Sequence, residues 1–487
     1  MMKIAVAGGG VGGILSALLL SRKGFDVTLF EKESALGGRL SFIEHDGYKL
    51  DKGPTIVLLP EMLTQLMKEA GIGSSEYELM RCDPLYDIHF ANGKQYTKYA
   101  SIKEQLTEID RIFPEDHQNF KRFIADMLIR FTEGKPRFLE QPFLNRWGSI
   151  NPGTLNALRK LNAFRSVKKQ LDYYFMSEEM KTAYALQTLY IGGNPFTTPA
   201  IYSLVSFSEH QHGIYYVKGG YASLVEVFEK ALEKNNVKVR KNAPVEEIKR
   251  TKKRISKVVV NGEEIEVDAL VFNGDFPAVE GLLNKPKRPY EPSSGCVLLY
   301  MGIDGVYDDK KTHQFYMGAN FNQNMMEIFK QRTIPEDPSY YVFHPSLIDG
   351  TLAPEGKGVL YVLIPVPSGD HIYWEKEKNK LADKVIDSMI QRGFPGLRER
   401  MEWMKIRTPN EAMTEGLYAG GSFGISPALF QSGPFRPQFQ PYSEIDNLYA
   451  VGASVHPGGG IPIVMQGAKL LADGMELKYL TRDVIRK

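Results

Sequence analysis

The sequence has only two cysteines in 487 residues, Cys82 and Cys296, far apart and in no metal-ligand spacing. That scarcity argues against a disulfide framework and fits a reducing compartment. A surplus of charge of either sign is also missing. With 60 basic against 58 acidic residues, no overall field draws the chain towards nucleic acid, so a charged partner must be met locally. Nor is there an apolar run of the ~20 residues that a bilayer span needs. The run after Lys3 comes nearest, but Ser21-Arg22-Lys23 interrupts it and no small-residue cleavage site is found beyond it, so neither a span nor a signal peptide is expected there. Apolar side chains, by contrast, make up 43% of a chain long enough for two domains or three lobes.

That first apolar run has its own explanation. KIAVA reads as a strand, GGGVGGILSALLLSRKG as a glycine turn entering a helix, and DVTLFE as a second strand. Gly8, Gly10 and Gly13 take the G-x-G-x-x-G spacing. The first glycine turns tightly, the second lets a pyrophosphate approach the backbone, and the third lets helix pack on strand. Phosphates would then sit on the free amides of the helix N-terminus. Glu31 closes the second strand, about 20 residues beyond the glycines, where a carboxylate accepts both hydroxyls of an adenosine ribose and repels a 2′-phosphate. The block therefore predicts a Rossmann-type dinucleotide-binding domain and argues against NADP.

The residues just after Glu31 bear on which dinucleotide is bound. KESALGGR, with Gly37-Gly38-Arg39, resembles the extension seen in FAD enzymes of the amine oxidase and carotenoid desaturase superfamily. The resemblance implies FAD, with Arg39 by its phosphates and Gly38 among the residues that bind it. The phrases DKGPTIVLLPEM and LQTLYIGGNPFTTPAIYSL are similar to bacterial carotenoid desaturases, above all the 4,4′-diapophytoene desaturases, and GIYYVKGGYASLVEVF to the core of the superfamily. In that superfamily the turn at residues 51–55 lies near the flavin ring, and Val245 falls where a backbone group binds the adenine edge.

The C-terminal phrase NLYAVGASVHPGGGIPIVMQGAKLL is the second anchor: a strand into Gly452, a glycine loop, and a helix starting near Pro462. Such a helix N-terminus offers free amides and partial positive charge, which would stabilise an anionic reduced flavin. Gly452-Ala453 stands where many superfamily members have Gly-Asp, yet the whole phrase resembles carotenoid desaturases. His456 within it is the titratable candidate for proton transfer, or else a residue that orients the loop.

Between these anchors the pattern changes twice. Hairpins are expected at His45-Asp46-Gly47, at Asn92-Gly93 and at Asn261-Gly262, a helix after Pro54-Thr55, and one strand through VKVRKNAPVEEIKR. Residues 101–187 carry helical spacing and read as an inserted lobe. Within it, residues 141–171 hold Arg146, Arg159, Lys160, Arg165, Lys168 and Lys169 and no acid, interleaved with Phe143, Leu144, Trp147, Leu158, Leu161 and Phe164. This suits either a solvated basic face or an anionic lipid surface. Glu209-His210-Gln211-His212 reads as a strand approach, and no metal site is assigned to it. CVLLYMGID and GVLYVLIPVP read as long buried strands, and no catalytic triad or paired-carboxylate spacing stands out in residues 290–440.

The expected architecture is α/β: a Rossmann-type FAD-binding domain from residues 1–75, 214–289 and 441–487, with a mixed-sheet substrate domain and helical lobe from residues 76–213 and 290–440. The resemblance implies FAD-dependent desaturation of a linear apolar carotenoid precursor such as 4,4′-diapophytoene. Hydride would pass to flavin N5, a proton to a base or water, and reoxidation would fall to oxygen or a quinone. It also implies peripheral attachment to the inner face of the cell membrane. An end-group oxygenase or oxidase of the same family, a flavin amine oxidase, and a non-redox prenyl-chain carrier are the rival readings.

Overall fold

In the computed structural model, residues 1–144, 153, 159 and 161–481 are described. Two sheets organise them. The first has five parallel strands in the order Leu448–Ala450, Ala269–Phe272, Lys3–Ala7, Asp26–Phe30, Lys238–Arg240. Parallel strands are covered on both faces, which is why KIAVA and ALVF are continuous apolar runs without alternation. The helix Val11–Arg22 has almost no polar face, and Gly12 to Leu20 are buried between this sheet and the closing helix Ile461–Glu476.

The second sheet has seven strands, in the order Met401–Arg407, Gly295–Asp304, Lys357–Val366, Tyr340–Phe343, His313–Tyr316, Tyr86–His89, Gln95–Lys98. All neighbours are antiparallel except His313–Tyr316 with Tyr86–His89. The two-residue period of a strand divides its core in two. Val297, Leu299, Met301 and Ile303 face Leu381, Val385 and Met389 of the helix Trp374–Arg392. Cys296, Leu298 and Tyr300 join Tyr341, Phe343 and Tyr361 on the opposite face, towards the helices Ile102–Ile112, His117–Phe138, Val167–Tyr174 and Glu178–Ala185.

Three local expectations are corrected. The helix after Pro54-Thr55 starts only at Pro60 (Pro60–Glu69). The strand through VKVRKNAPVEEIKR splits into Lys238–Arg240 and Val245–Thr251, which belong to different sheets, because Asn242 takes φ +51° and Pro244 cannot donate to a ladder. Glu209-His210-Gln211-His212 ends a helix, Leu204–His212, and Gly213 at φ +79° turns the chain into the strand Ile214–Val217. That helix carries Glu209 to Lys98, and both side chains are fully buried in their ion pair.

Candidate functional site

The opening glycine turn is shaped by close approach. Gly8 has φ +106°, and a Cβ there would lie 2.8 Å from the Asn273 carbonyl. At Gly13 a Cβ would lie 2.0 Å from the Gly8 carbonyl, so the helix meets the turn at backbone contact. Asn273 Nδ2 donates to the Gly8 carbonyl at 3.1 Å and fixes the turn from the adjoining strand end. Glu31 accepts from the amides of Gly9 at 2.6 Å and Glu33 at 2.9 Å, which holds its carboxylate against the turn. Gly37 and Gly38, at φ +108° and +60°, fold the next loop back so that Gly37 bridges Gly10. Arg39 comes next, donating from Nη1 to the Ser422 carbonyl at 2.9 Å. Its side chain is exposed to the cavity, yet the surrounding protein desolvates the guanidinium and pulls its pKa below the usual value, with Asp275 offsetting part of that, and it makes no ion pair among the described residues.

The closing motif is held from beneath by Arg436, whose role has no motif in the sequence. Buried itself, it donates to three carbonyls: Ala453 at 2.5 Å, Gln431 at 3.0 Å and Ile425 at 3.3 Å. Gly452 takes φ +131° where the chain leaves the strand Leu448–Ala450. The helix Ile461–Glu476 then presents its first-turn amides, which lack intrahelical acceptors, beside Pro462.

His456 is buried, and its Nε2 donates to the Gln141 carbonyl at 3.0 Å. Its ring meets Phe143 edge-on at 5.1 Å, while Nδ1 has no partner among the described residues. Burial pushes its pKa down to about 4, so near neutral pH it is an uncharged ring that ties the basic segment to the glycine loop.

These pieces share one cavity of about 1240 Å³, lined by Gly8, Gly10, Glu31, Gly38, Arg39, Val245, Gly452, Ala453, His456 and Pro462, while Gly13 lies behind the wall. It continues between the second sheet and the helical lobe, past Leu186, Leu189, Leu204, Phe315, Tyr341 and Leu363. Phe164 and Phe430 line it too, and they are 58% and 75% exposed. A glycine cradle that a Cβ would fill, a guanidinium without a carboxylate and a free helix N-terminus fit an FAD pyrophosphate and an anionic ring edge.

The histidines of Glu209-His210-Gln211-His212 go elsewhere. His210 contacts the Tyr99 carbonyl and the Tyr184 hydroxyl, and His212 sits 3.0 Å from Glu61. Of the basic segment, Arg146, Trp147, Leu158 and Lys160 lie outside the described residues. Lys168 is paired with Asp172 and Glu178, whereas Arg159, Arg165 and Lys169 are exposed.

Burial makes the fold sensitive to acid. His210, His313, His344 and His456 all sit below their ordinary pKa, the last three at about 3, 4 and 4. Below pH 6.5 the unfolded chain takes up protons that the folded chain refuses. Stability is therefore lost as pH falls from 6.5 towards 4, by about 1.4 kcal/mol per pH unit for each ring. Asp51 opposes this, since burial raises it to about 6 and the folded form keeps a proton that the unfolded form releases. Burial lowers His89 and His212 as well and raises Asp87, so six rings outweigh two carboxyls, and thermal melts should show Tm dropping between pH 6.5 and 5, whereas a flat profile would contradict the assignment.

With this geometry in place, comparison with known proteins defines the class, an FAD-dependent oxidoreductase of the amine oxidase fold. The chain belongs to the flavin-containing amine oxidoreductase family, whose model matches residues 11–475, and within it to the bacterial carotenoid desaturases. It is 55% identical over 477 residues to a 4,4′-diapolycopen-4-al dehydrogenase of Metabacillus indicus, covering 97% of each chain. It is 32% identical over 495 residues to a 4,4′-diapophytoene desaturase of Staphylococcus haemolyticus, covering 97% of this chain and 98% of that one. A triple mutant of putrescine oxidase, from a redesign of its cofactor binding, shares the fold with a TM-score of 0.66 at 15% identity, over 99% of both chains.

Proposed function

We propose that this protein oxidises the aldehyde end of a linear diapocarotenoid to the acid. One observation carries the reading: a single cavity joins the glycine motifs to a long wall of aromatic and aliphatic side chains. At about 1240 Å³ it exceeds the ~300–1,000 Å³ of an ordinary small-molecule site, as a dinucleotide and a long second ligand together require. Gly8, Gly10, Glu31, Gly38, Arg39, Val245, Gly452, Ala453 and Pro462 would hold FAD. When bound, FAD supplies the hydride acceptor, so that aldehyde and water become carboxylate, with one hydride to FAD and the protons to solvent. The chain's own contribution is to bind and align the polyene by burying apolar surface, worth about 25 cal/mol per Å², and to keep bulk water from most of its length.

The end-group reading is favoured over desaturation of the hydrocarbon because the relative at 55% identity is named for an aldehyde and the desaturase stands at 32%. Desaturation remains the second reading, supported by the same apolar wall. Product mass separates them. Incubated with a polyenal, the protein should return a product heavier by one oxygen, and a product lighter by two hydrogens would assign desaturation instead. His456 serves as a positioning residue for the glycine loop. His456→Gln should therefore leave the pH profile of kcat without a displaced inflection, and a new or shifted one would make it the acid or base.

Delivery of so apolar a substrate points to a membrane surface. Exposed Phe164 and Phe430 at the cavity wall, with exposed Arg159, Arg165 and Lys169 in the segment that carries Phe164, suit insertion into an anionic leaflet. Each cation near such a surface contributes about 1 kcal/mol. Neutralising those three should lower co-sedimentation with anionic liposomes at least tenfold, and an unchanged bound fraction would refute the contact.

A further inference from the structure

The turn at residues 52–55 is held by more than its proline. Three tyrosines from three adjacent strands donate to it in succession. Tyr300 Oη reaches the Lys52 carbonyl at 2.7 Å, Tyr361 Oη the Gly53 carbonyl at 3.4 Å, and Tyr341 Oη the Thr55 hydroxyl at 3.0 Å. Gly53 packs on the loop of Arg39, where an added Cβ would lie 3.3 Å from the Arg39 carbonyl. The turn thus joins the glycine-rich end of the cavity to its aromatic sheet, and Thr55 and Tyr341 both line the cavity there.

The protons along this contact can be traced one by one. Tyr341 has a single hydroxyl proton and gives it to Thr55, so towards His313, whose Nδ1 lies 2.7 Å away, it can only accept. His313 is fully buried and pushed down to about 3, so its ring is neutral and its one N–H is on Nδ1. Nε2 is then an acceptor, and at 3.4 Å it faces the Cys82 thiol, which burial raises to about 12 and keeps protonated. Each link orients the next. The proton left without an acceptor among the described residues is that of the Thr55 hydroxyl. Hydrogen bonds in series polarise one another, so a hydroxyl that already accepts from Tyr341 donates more strongly than an isolated one.

We propose that the Thr55 hydroxyl is a specificity-determining donor to the carbonyl oxygen of an oxidised polyene end, with Cys82, His313 and Tyr341 acting as positioning residues that turn its proton into the cavity. The inference rests on the reading of the cavity as a polyene site and names the group that tells a polyenal from a hydrocarbon. A hydrocarbon gains nothing from this hydroxyl, whereas a carbonyl there gains one hydrogen bond.

The test uses the holoprotein with its flavin reduced under argon, so that no turnover occurs. A linear all-trans polyenal and the polyene hydrocarbon of equal conjugation are titrated in parallel. Hydrogen bonding to the carbonyl moves the polyenal absorption to longer wavelength, which gives a readout independent of activity. Thr55→Val should abolish that shift and raise the polyenal Kd about fivefold, with the hydrocarbon Kd unchanged. Thr55→Ser should restore both, and Tyr341→Phe should leave a smaller shift. If Thr55→Val keeps the shift and the Kd, or weakens both ligands equally, Thr55 is not the donor, although the polyene site stands. If the unsubstituted protein binds neither ligand, the polyene reading falls and this inference with it.

Discussion

Gly13→Ala is expected to yield a protein that purifies without its yellow colour. The position does not touch the cavity, yet its missing Cβ is what allows the helix Val11–Arg22 to start against the turn. A methyl group there would stand 2.0 Å from the Gly8 carbonyl and 2.9 Å from Asn273 Nδ2. The first is backbone, and the second is committed to the Gly8 carbonyl. The turn must therefore open, which moves the amides that would face a pyrophosphate and parts Glu31 from Gly9. Overpacking of this kind costs about 1–3 kcal/mol in stability, but the loss of bound FAD should be close to complete because the cradle itself is displaced. Absorbance of the purified protein after soaking with FAD checks it. A variant that binds FAD within about tenfold of the parent, some 1.4 kcal/mol, would show that the helix has room to retreat.

The glycine motifs are legible in the sequence because their chemistry is local. Spacing, flanking strands and the acid at Glu31 all fall within one short stretch, and the backbone leaves few other residues able to take their place. The long apolar runs of the second sheet can be read in the same way, strand by strand. Its order cannot, since Tyr86–His89 pairs with His313–Tyr316 across more than two hundred intervening positions. Arg436, the tyrosines that clasp residues 52–55, and the Lys98–Glu209 pair share that difficulty. Each is an ordinary residue in its own neighbourhood and gains a role only from a distant partner. The helix Leu204–His212 reads as a strand approach for a related reason. Its buried residues run without a break from Ser206 to His210 and are polar except for Phe207, so the periodicity of apolar residues carries no helical signal.

Lys98→Met is expected to lower stability by about 3–5 kcal/mol, the range for removing one partner of a buried ion pair. Both side chains of the Lys98–Glu209 pair have no exposed surface. Glu209 Oε2 also accepts from Tyr86 Oη at 2.8 Å and Gln187 Nε2 at 3.3 Å, and Lys98 Nζ lies 4.4 Å from the Tyr184 ring centre. Methionine would preserve much of the packing but leave a carboxylate in an apolar interior with only neutral donors, at the cost of an uncompensated charge. Leu186, next to Gln187 in the chain, and Ser208, next to Glu209, are cavity wall, so polyene binding should weaken along with stability. Urea unfolding gives the measurement, and a loss below about 1 kcal/mol, the scale of an exposed pair, would mean that water reaches Glu209. The double variant Lys98→Met with Glu209→Leu should recover at least half of the loss, because removing both charges also removes their desolvation. Recovery of that size would assign the pair to specifying how the lobe seats on the sheet rather than to net stability. No recovery would instead assign the loss to the orphaned hydroxyl of Tyr86, since the Gln187 amide keeps the Ala183 carbonyl and the Tyr86 oxygen.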